Sequence, residues 1–421
     1  MLEQLKQKII NKKAKVTVVG MGYVGLAVAQ SISSAGYKII GYDISEKRVS
    51  ELKKLRNEGI LVTSLIKDIK DSDIFLVCLP TPVKEYVNPD LSSIEHSINE
   101  LSKNVLKEGQ LLILESTVQP GTTKDFVLPL ILKDNRFLEV GKNFFLGYSP
   151  ERVDPGNKNF SDVSSIPKIV SGITSNCLDL TELLYSQFIK KLHKASSVEV
   201  AEFAKLFENT FRAVNIAFVY EMARIANRLG MNIMEILEAA YTKPFGIMPF
   251  WPSVGVGGHC IPVDLLYLHS WARSNDCYSQ FIELAHRVNQ GMPYYVLQRI
   301  TKILNGSSKS LKGAKILLIG ATYKPNVSDT RSSAALKLAE LFVNEGVNLS
   351  VHDPFLSNVQ IPCNFVNKLS DEFLMKMDLV VLAVAHDCLD LDSICKHSNI
   401  LFECSGKPVF SNKVSRKIYS L

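Results

Sequence analysis

Beyond its first fourteen residues the chain alternates short apolar runs with stretches whose apolar positions recur every three or four residues, and that alternation sets the fold class. Lys15–Val19 and Lys38–Tyr42 are short runs rich in β-branched and aromatic residues. A glycine turn and a helical pattern over Tyr23–Ser34 lie between them, and Asp43 follows the second run. Strand, glycine turn, helix and strand in this order open a parallel, doubly wound α/β sheet. Apolar runs at 74–79, 111–114 and 144–148 supply further strands, so residues 1–195 read as one Rossmann domain.

Residues 197–229 contain neither Gly nor Pro, and Val200, Phe203, Ala204, Phe207, Phe211, Val214, Phe218 and Met222 recur at mixed three and four spacing. This predicts one helix of roughly 50 Å, long enough to act as a spine between domains and as a subunit contact. It opens a central helical region, 196–305. Near residue 311 the opening grammar returns: Lys315–Ile319, Gly320, a loop, a helix over 332–344, a strand over 347–351, Asp353 and a later strand at 379–384. A second Rossmann-like domain is therefore expected over 310–421, after a linker at 305–309. Its loop, 321–326, lacks the glycine pattern and is not expected to bind a dinucleotide in the same way.

Composition narrows the class. The 421 residues are 46% hydrophobic and 21% charged, with 23 Gly and 17 Pro, which excludes disordered, collagen-like and disulfide-scaffold chains. Of the net charge of +6, +4 comes from Lys6, Lys8, Lys12, Lys13 and Lys15 against Glu3. The start of the chain reads as a solvated basic tail, and the near-neutral remainder argues against a nucleic-acid partner. No apolar run approaches the ~18 residues that span a bilayer, so no membrane insertion and a cytoplasmic location are expected. The eight cysteines form no Cys-x-x-Cys pair, and no metal site is expected.

Gly20-Met21-Gly22-Tyr23-Val24-Gly25 sits between strand and helix, where Gly20 permits the turn, Gly22 admits a pyrophosphate at the helix amino terminus and Gly25 allows close helix packing. Asp43 would accept from a ribose 2′-hydroxyl and repel a 2′-phosphate, which favours NAD. Two loops after strands, at Thr81-Pro82 and at 115–123 with Thr117, fall where ligands bind in such sheets. In residues 255–264 a run of small residues, including Gly257, precedes His259, Cys260 and Pro262. Cys260 at a helix amino terminus would be a favoured thiolate, with Asp264 one turn later. The bland alternative is a core cysteine. Lys205, Asn209 and Arg212 form a polar stripe on the long helix that either stabilises an oxyanion or is a solvated face with a Glu208–Arg212 pair. Glu151, beside Arg152, could be a general base.

Taken together, Gly20 to Gly25, Glu115-Ser116-Thr117, Ser149-Pro150-Glu151, 205–210, the glycine-His-Cys segment and 323–331 resemble the UDP-glucose/GDP-mannose dehydrogenase family over nearly the whole chain. The resemblance implies oxidation of C6 of a nucleotide sugar to the acid with two NAD, for surface polysaccharide precursors. It implies a helical dimerisation region, a homodimer or higher homo-oligomer, and a carboxyl-terminal domain that helps hold a UDP-sugar. Cys260 is then the nucleophile, Lys205 and Asn209 stabilise oxyanions, Asp264 assists water or the lysine, Glu151 is an acid/base group, and Thr117 lies near the reacting centre. Lys324 is similar to family residues near the substrate, and Arg331 to residues near the cofactor. His259 and Pro155 depart from the UDP-glucose subgroup, and 242–246 and 258–264 resemble the N-acetylhexosamine subgroup. UDP-N-acetylglucosamine is therefore expected ahead of UDP-N-acetylmannosamine and UDP-glucose, with Phe250 in the wall around the N-acetyl group. A rival is a two-electron dehydrogenase of a small hydroxy acid, with Cys260 as packing.

Overall fold

The computed structural model describes residues 1–55, 59–83, 89–153, 163–259, 261–407 and 418–421. It divides into two compact units: Met1–Glu208 with Leu266–Asp276, and Asn209–Leu265 with Cys277–Leu421.

Among the described residues the first unit carries an eight-stranded sheet. Its strands are β1 (Lys15–Val19), β2 (Lys38–Tyr42), β3 (Ile60–Thr63), β4 (Ile74–Val77), β5 (Leu111–Leu114), β6 (Phe145–Tyr148), β7 (Lys168–Gly172) and β8 (Leu192–Lys194). The order is β3-β2-β1-β4-β5-β6-β7-β8. All neighbours are parallel except β6 and β7. Strands β4, β5 and β6 are buried along their whole length, as continuous apolar runs in a sheet covered on both faces must be. Alternate residues feed opposite cores: Ile74, Leu76, Leu111 and Ile113 belong to one, and Phe75, Val77, Leu112 and Leu114 to the other.

The basic start of the chain is not a solvated tail. Leu2–Ile10 forms a helix whose Leu5 and Ile9 enter the first core. Lys8 pairs with Asp73 at 2.5 Å, and the Tyr37 hydroxyl donates to the Ile9 carbonyl at 2.8 Å. Burying two such side chains contributes about 1.5–3 kcal/mol each, enough to fold back a segment whose lysines stay at the surface.

In the second unit a parallel sheet, among the described residues six-stranded, has β9 (Lys315–Ile319), β10 (Asn348–His352), β11 (Asn364–Phe365), β12 (Leu379–Leu382), β13 (Leu401–Glu403) and β14 (Ile418–Ser420) in the order β11-β10-β9-β12-β13-β14. The expected linker at 305–309 is partly helical, because Met292–Gly306 runs into it. The predicted long helix spans Val198–Arg228, and its 31 residues make about 46 Å at 1.5 Å each. Among the described residues no helix is long and apolar enough to cross a membrane.

Candidate active site

The first turn of the first unit has the form a dinucleotide requires. Gly20 has φ +90°, and a Cβ there would lie 2.6 Å from the Cys78 carbonyl oxygen. A Cβ on Gly25 would lie 1.9 Å from the Gly20 oxygen, so the helix can sit against the turn only because residue 25 is glycine. Gly22 caps helix Tyr23–Ser34 without a side-chain partner, and a Cβ there would meet nothing within 4 Å. Open space at a helix amino terminus, with Tyr23 and Val24 exposed on its first turn, suits a pyrophosphate. Asp43 accepts from the backbone N–H of Met21 and of Ser45, each at 2.9 Å. One bond per oxygen leaves acceptor capacity for ribose hydroxyls.

The loops after β4 and β5 are tied together. The Thr81 hydroxyl donates to the Thr117 carbonyl at 2.8 Å, and the Leu79 N–H to the Ser116 hydroxyl at 2.9 Å. Tyr267, fully buried, donates to the Thr81 carbonyl at 2.6 Å with the Pro82 oxygen at 3.0 Å, and its own carbonyl accepts from Gln119 at 3.1 Å. Tyr267 belongs to helix Ile261–Ser274, which begins at the residue after Cys260 with Pro262 in its first turn. Cys260 itself, like Pro155, lies outside the described residues.

Glu115 and Glu151, both singled out in the sequence, meet in a buried charged cluster with Lys168 and Tyr185, which were not. Lys168, in β7, places its ammonium 2.8 Å from Glu151 Oε2 and 3.1 Å from Glu115 Oε2, and Tyr185 donates to the other Glu115 oxygen. Burial raises the Glu115 carboxyl above its ordinary value despite Lys168. Burial also opposes ionisation of Glu151, yet Lys168 and the backbone N–H groups of Arg152 and Val153, at 2.7 and 2.8 Å, hold its carboxyl below the ordinary value. Both oxygens of the Glu151 carboxylate are thus anchored, Oε2 by Lys168 and Oε1 by the two N–H groups. The Glu151 carbonyl accepts from the Lys205 ammonium at 2.6 Å. Arg152 pairs with Glu208, which thereby has a partner other than the Arg212 suggested by spacing.

In the second unit, Asn209 donates to Asp264 at 2.5 Å, both groups being buried. The sequence sets Asp264 to assist water or the lysine, with no sign that its partner is Asn209. Packing also requires the glycines before Cys260: a Cβ on Gly257 would lie 2.8 Å from the Ser332 oxygen, and one on Gly258 2.7 Å from the Tyr323 ring. Small residues there admit another part of the same unit, and the Gly258 N–H donates to the Arg331 carbonyl at 3.1 Å. Burial, and then the Arg331 charge, lower the His259 pKa, favouring a neutral ring. Arg331 is exposed and forks onto Asp329, and the Lys324 ammonium lies 5.5 Å from the Tyr323 ring centre. Phe250 is held through its backbone, which both donates to and accepts from the Tyr241 hydroxyl, at 2.8 and 2.5 Å.

The second sheet repeats the glycine and aspartate of the first but fills the place of the ribose. Asp353 Oδ2 accepts from the N–H of Ala321 and Thr322 at 2.7 and 3.0 Å and also meets Nε2 of the fully buried His386 at 3.2 Å, while Oδ1 accepts from the Phe355 N–H at 2.9 Å. Among the described residues no group of three or more His, Cys, Asp or Glu could hold a metal ion.

Residues 14–189, 199–291 and 317–406 match, in turn, the NAD binding, central and UDP binding domains of the UDP-glucose/GDP-mannose dehydrogenase family. The chain is 36% identical over 390 residues to UDP-N-acetyl-D-glucosamine 6-dehydrogenase of Pseudomonas aeruginosa, covering 89% of this chain and 91% of the relative. It is 32% identical to UDP-N-acetyl-D-mannosamine dehydrogenase of Pyrococcus horikoshii over 86% of this chain and 89% of that protein. The solved UDP-D-ManNAc dehydrogenase from Pyrococcus horikoshii superimposes with a TM-score of 0.83 at 30% identity, covering 96% of this chain and 98% of that one.

Proposed function

The chain belongs to the UDP-glucose/GDP-mannose dehydrogenase family and is an NAD-dependent UDP-sugar 6-dehydrogenase, and within that class we propose that it oxidises C6 of UDP-N-acetylglucosamine to the carboxylate. The observation that carries the sugar assignment is the 36% identity, across 89% of the chain, to the Pseudomonas aeruginosa enzyme of that substrate. The Pyrococcus horikoshii relative supports UDP-N-acetylmannosamine as the second reading. Family membership sets aside the small hydroxy acid alternative.

NAD, when bound, accepts a hydride from C6 at each of the two oxidations. Gly20, Gly22, Tyr23, Val24, Gly25, Asp43, Thr81, Pro82, Thr117 and Arg331 are assigned to its binding. The Cys260 thiolate adds to the C6 aldehyde, giving a thiohemiacetal; loss of hydride leaves a thioester, and water cleaves the carbon–sulfur bond to return the thiol. Lys205 and Asn209 stabilise the oxyanions of these steps, and Asp264 orients Asn209. The sugar nucleotide is assigned to Arg152, Lys205, Asn209, Phe250, Gly257 and Lys324, with Glu151 carrying Lys205 on its carbonyl oxygen. The functional division follows 1–195, 196–305 and 310–421. A homodimer is supported by Phe218 and Ile225, which are 57% and 52% exposed two turns apart on one face of the long helix.

The test is kcat/KM for UDP-N-acetylglucosamine, UDP-N-acetylmannosamine and UDP-glucose, with NADH counted per sugar consumed. The first sugar should lead and give about two NADH, since alcohol to acid removes four electrons. Cys260→Ser should stop acid formation. A leading value for UDP-glucose, or acid formed at the wild-type rate by Cys260→Ser, refutes the respective assignment.

A further inference from the structure

Glu202 lies on the long helix three residues before Lys205 and is fully buried. Its Oε1 accepts from the Thr123 N–H at 2.8 Å and from the Thr123 hydroxyl at 2.6 Å, and its Oε2 accepts from the Gly121 N–H at 2.6 Å. All three donors belong to the segment that follows β5. Gly121 there has φ +92°, and Thr122–Val127 is a π-helical turn, a geometry that recurs at functional sites. Upstream in the same segment is Thr117, whose carbonyl holds Thr81. We propose that Glu202 is a positioning residue for the oxidation, fixing the loop that carries Thr117 to the helix that carries Lys205.

The chemistry of the carboxylate gives this clamp its sensitivity. Ionised, Glu202 is acceptor-only and satisfies three donors at once. Protonated, or replaced by Gln, it turns one donor toward the Gly121 N–H, the Thr123 N–H or the Thr123 hydroxyl, and the loop must move. Burial raises this carboxyl to about 7, against the lowering pull of its three hydrogen bonds, with Glu199 adding to the rise. Lys124 faces the same helix through Glu199 at 3.4 Å, Asp125 lies beside Gly121, and the Lys205 ammonium is on the Glu151 carbonyl. The charged form is the one that holds the loop, so the clamp is present above that pH and released below it.

The proposal rests on the placement of Thr117 near the reacting centre. The measurement is kcat, with both substrates saturating, for wild type and Glu202→Gln across roughly pH 5.5 to 8.5. The ratio of wild type to variant should be near one at the acid end and climb to about tenfold at the alkaline end, the scale of a catalytic loop shifted by a fraction of an ångström. Its midpoint should fall near 7. Other ionisations common to both proteins cancel in this ratio. A ratio that is constant with pH, whatever its size, overturns the proposal, because a merely structural loss has no reason to titrate. Thr123→Val keeps the backbone bonds and removes one interaction that lowers the Glu202 pKa, so the acid limb should move to higher pH. That variant decides the matter if Glu202→Gln does not fold, and an unmoved limb counts against the clamp. Thr117→Ala with wild-type kcat would remove the Thr117 placement alone, since the Glu202 titration is read independently of it.

Discussion

Replacing Lys168 with Met removes the cation from a deeply buried charged cluster of the first unit. The lysine side chain is 4% exposed, and its partners Glu115 and Glu151 are 0% and 8% exposed, so solvent screening offers little relief. Deleting one partner of such a pair costs about 3–5 kcal/mol, because the remaining charge is left without its counterion; here two carboxylates would face each other. The sign with pH follows from the shifts. In the wild type the Glu151 carboxyl is held below its ordinary value, so its contribution is present above the unfolded value and is lost as pH falls through the folded one. In Lys168→Met burial raises both carboxyls, so their contribution is present below the unfolded value and lost as pH rises. The stability gap should therefore widen from about pH 4 to about pH 8. Urea unfolding in a Trp251→Phe background reads it through Trp271, which packs edge-on against Phe203 at 5.8 Å in the same unit. A midpoint shift of roughly 1–2 M is expected at neutral pH. Changing Glu115 and Glu151 to Gln as well should restore much of the loss. A gap below about 1 kcal/mol, or one that does not change with pH, would show that the cluster is not the charged network described.

Asp43→Asn keeps the shape of the side chain and removes its charge, so the NAD over NADP preference in kcat/KM should fall by about tenfold or more; an unchanged preference means that Asp43 does not face the 2′ position. Phe218→Glu places a charge on the exposed apolar face of the long helix and should convert the proposed homodimer to monomer in light scattering, whereas an unchanged dimer mass would locate the subunit contact elsewhere.

Local grammar carried much of the fold. β1, the glycine turn, helix Tyr23–Ser34, β2 and Asp43 were legible because turn chemistry and apolar period act between residues close in sequence, and β9 was legible for the same reason. The amino-terminal helix was missed because its two buried positions, Leu5 and Ile9, are embedded among lysines, and only a core to receive them makes the segment fold. Lys168 and Glu202 gave no local signal. By default such residues are solvated, and each is buried here only because groups 17 to 81 residues away supply its hydrogen bonds. Gly257 and Gly258 were recognised as special, but sequence could say only that something approaches them; the packing of Tyr323 and Ser332 decided what. The same holds for Asp353, which parallels Asp43 in sequence but has His386 against it, 33 residues further along the chain. Sequence thus fixes which backbone shapes and side-chain types are present, whereas the desolvation and pairing that set a buried group's charge and partners arise only when distant segments are brought within hydrogen-bond reach.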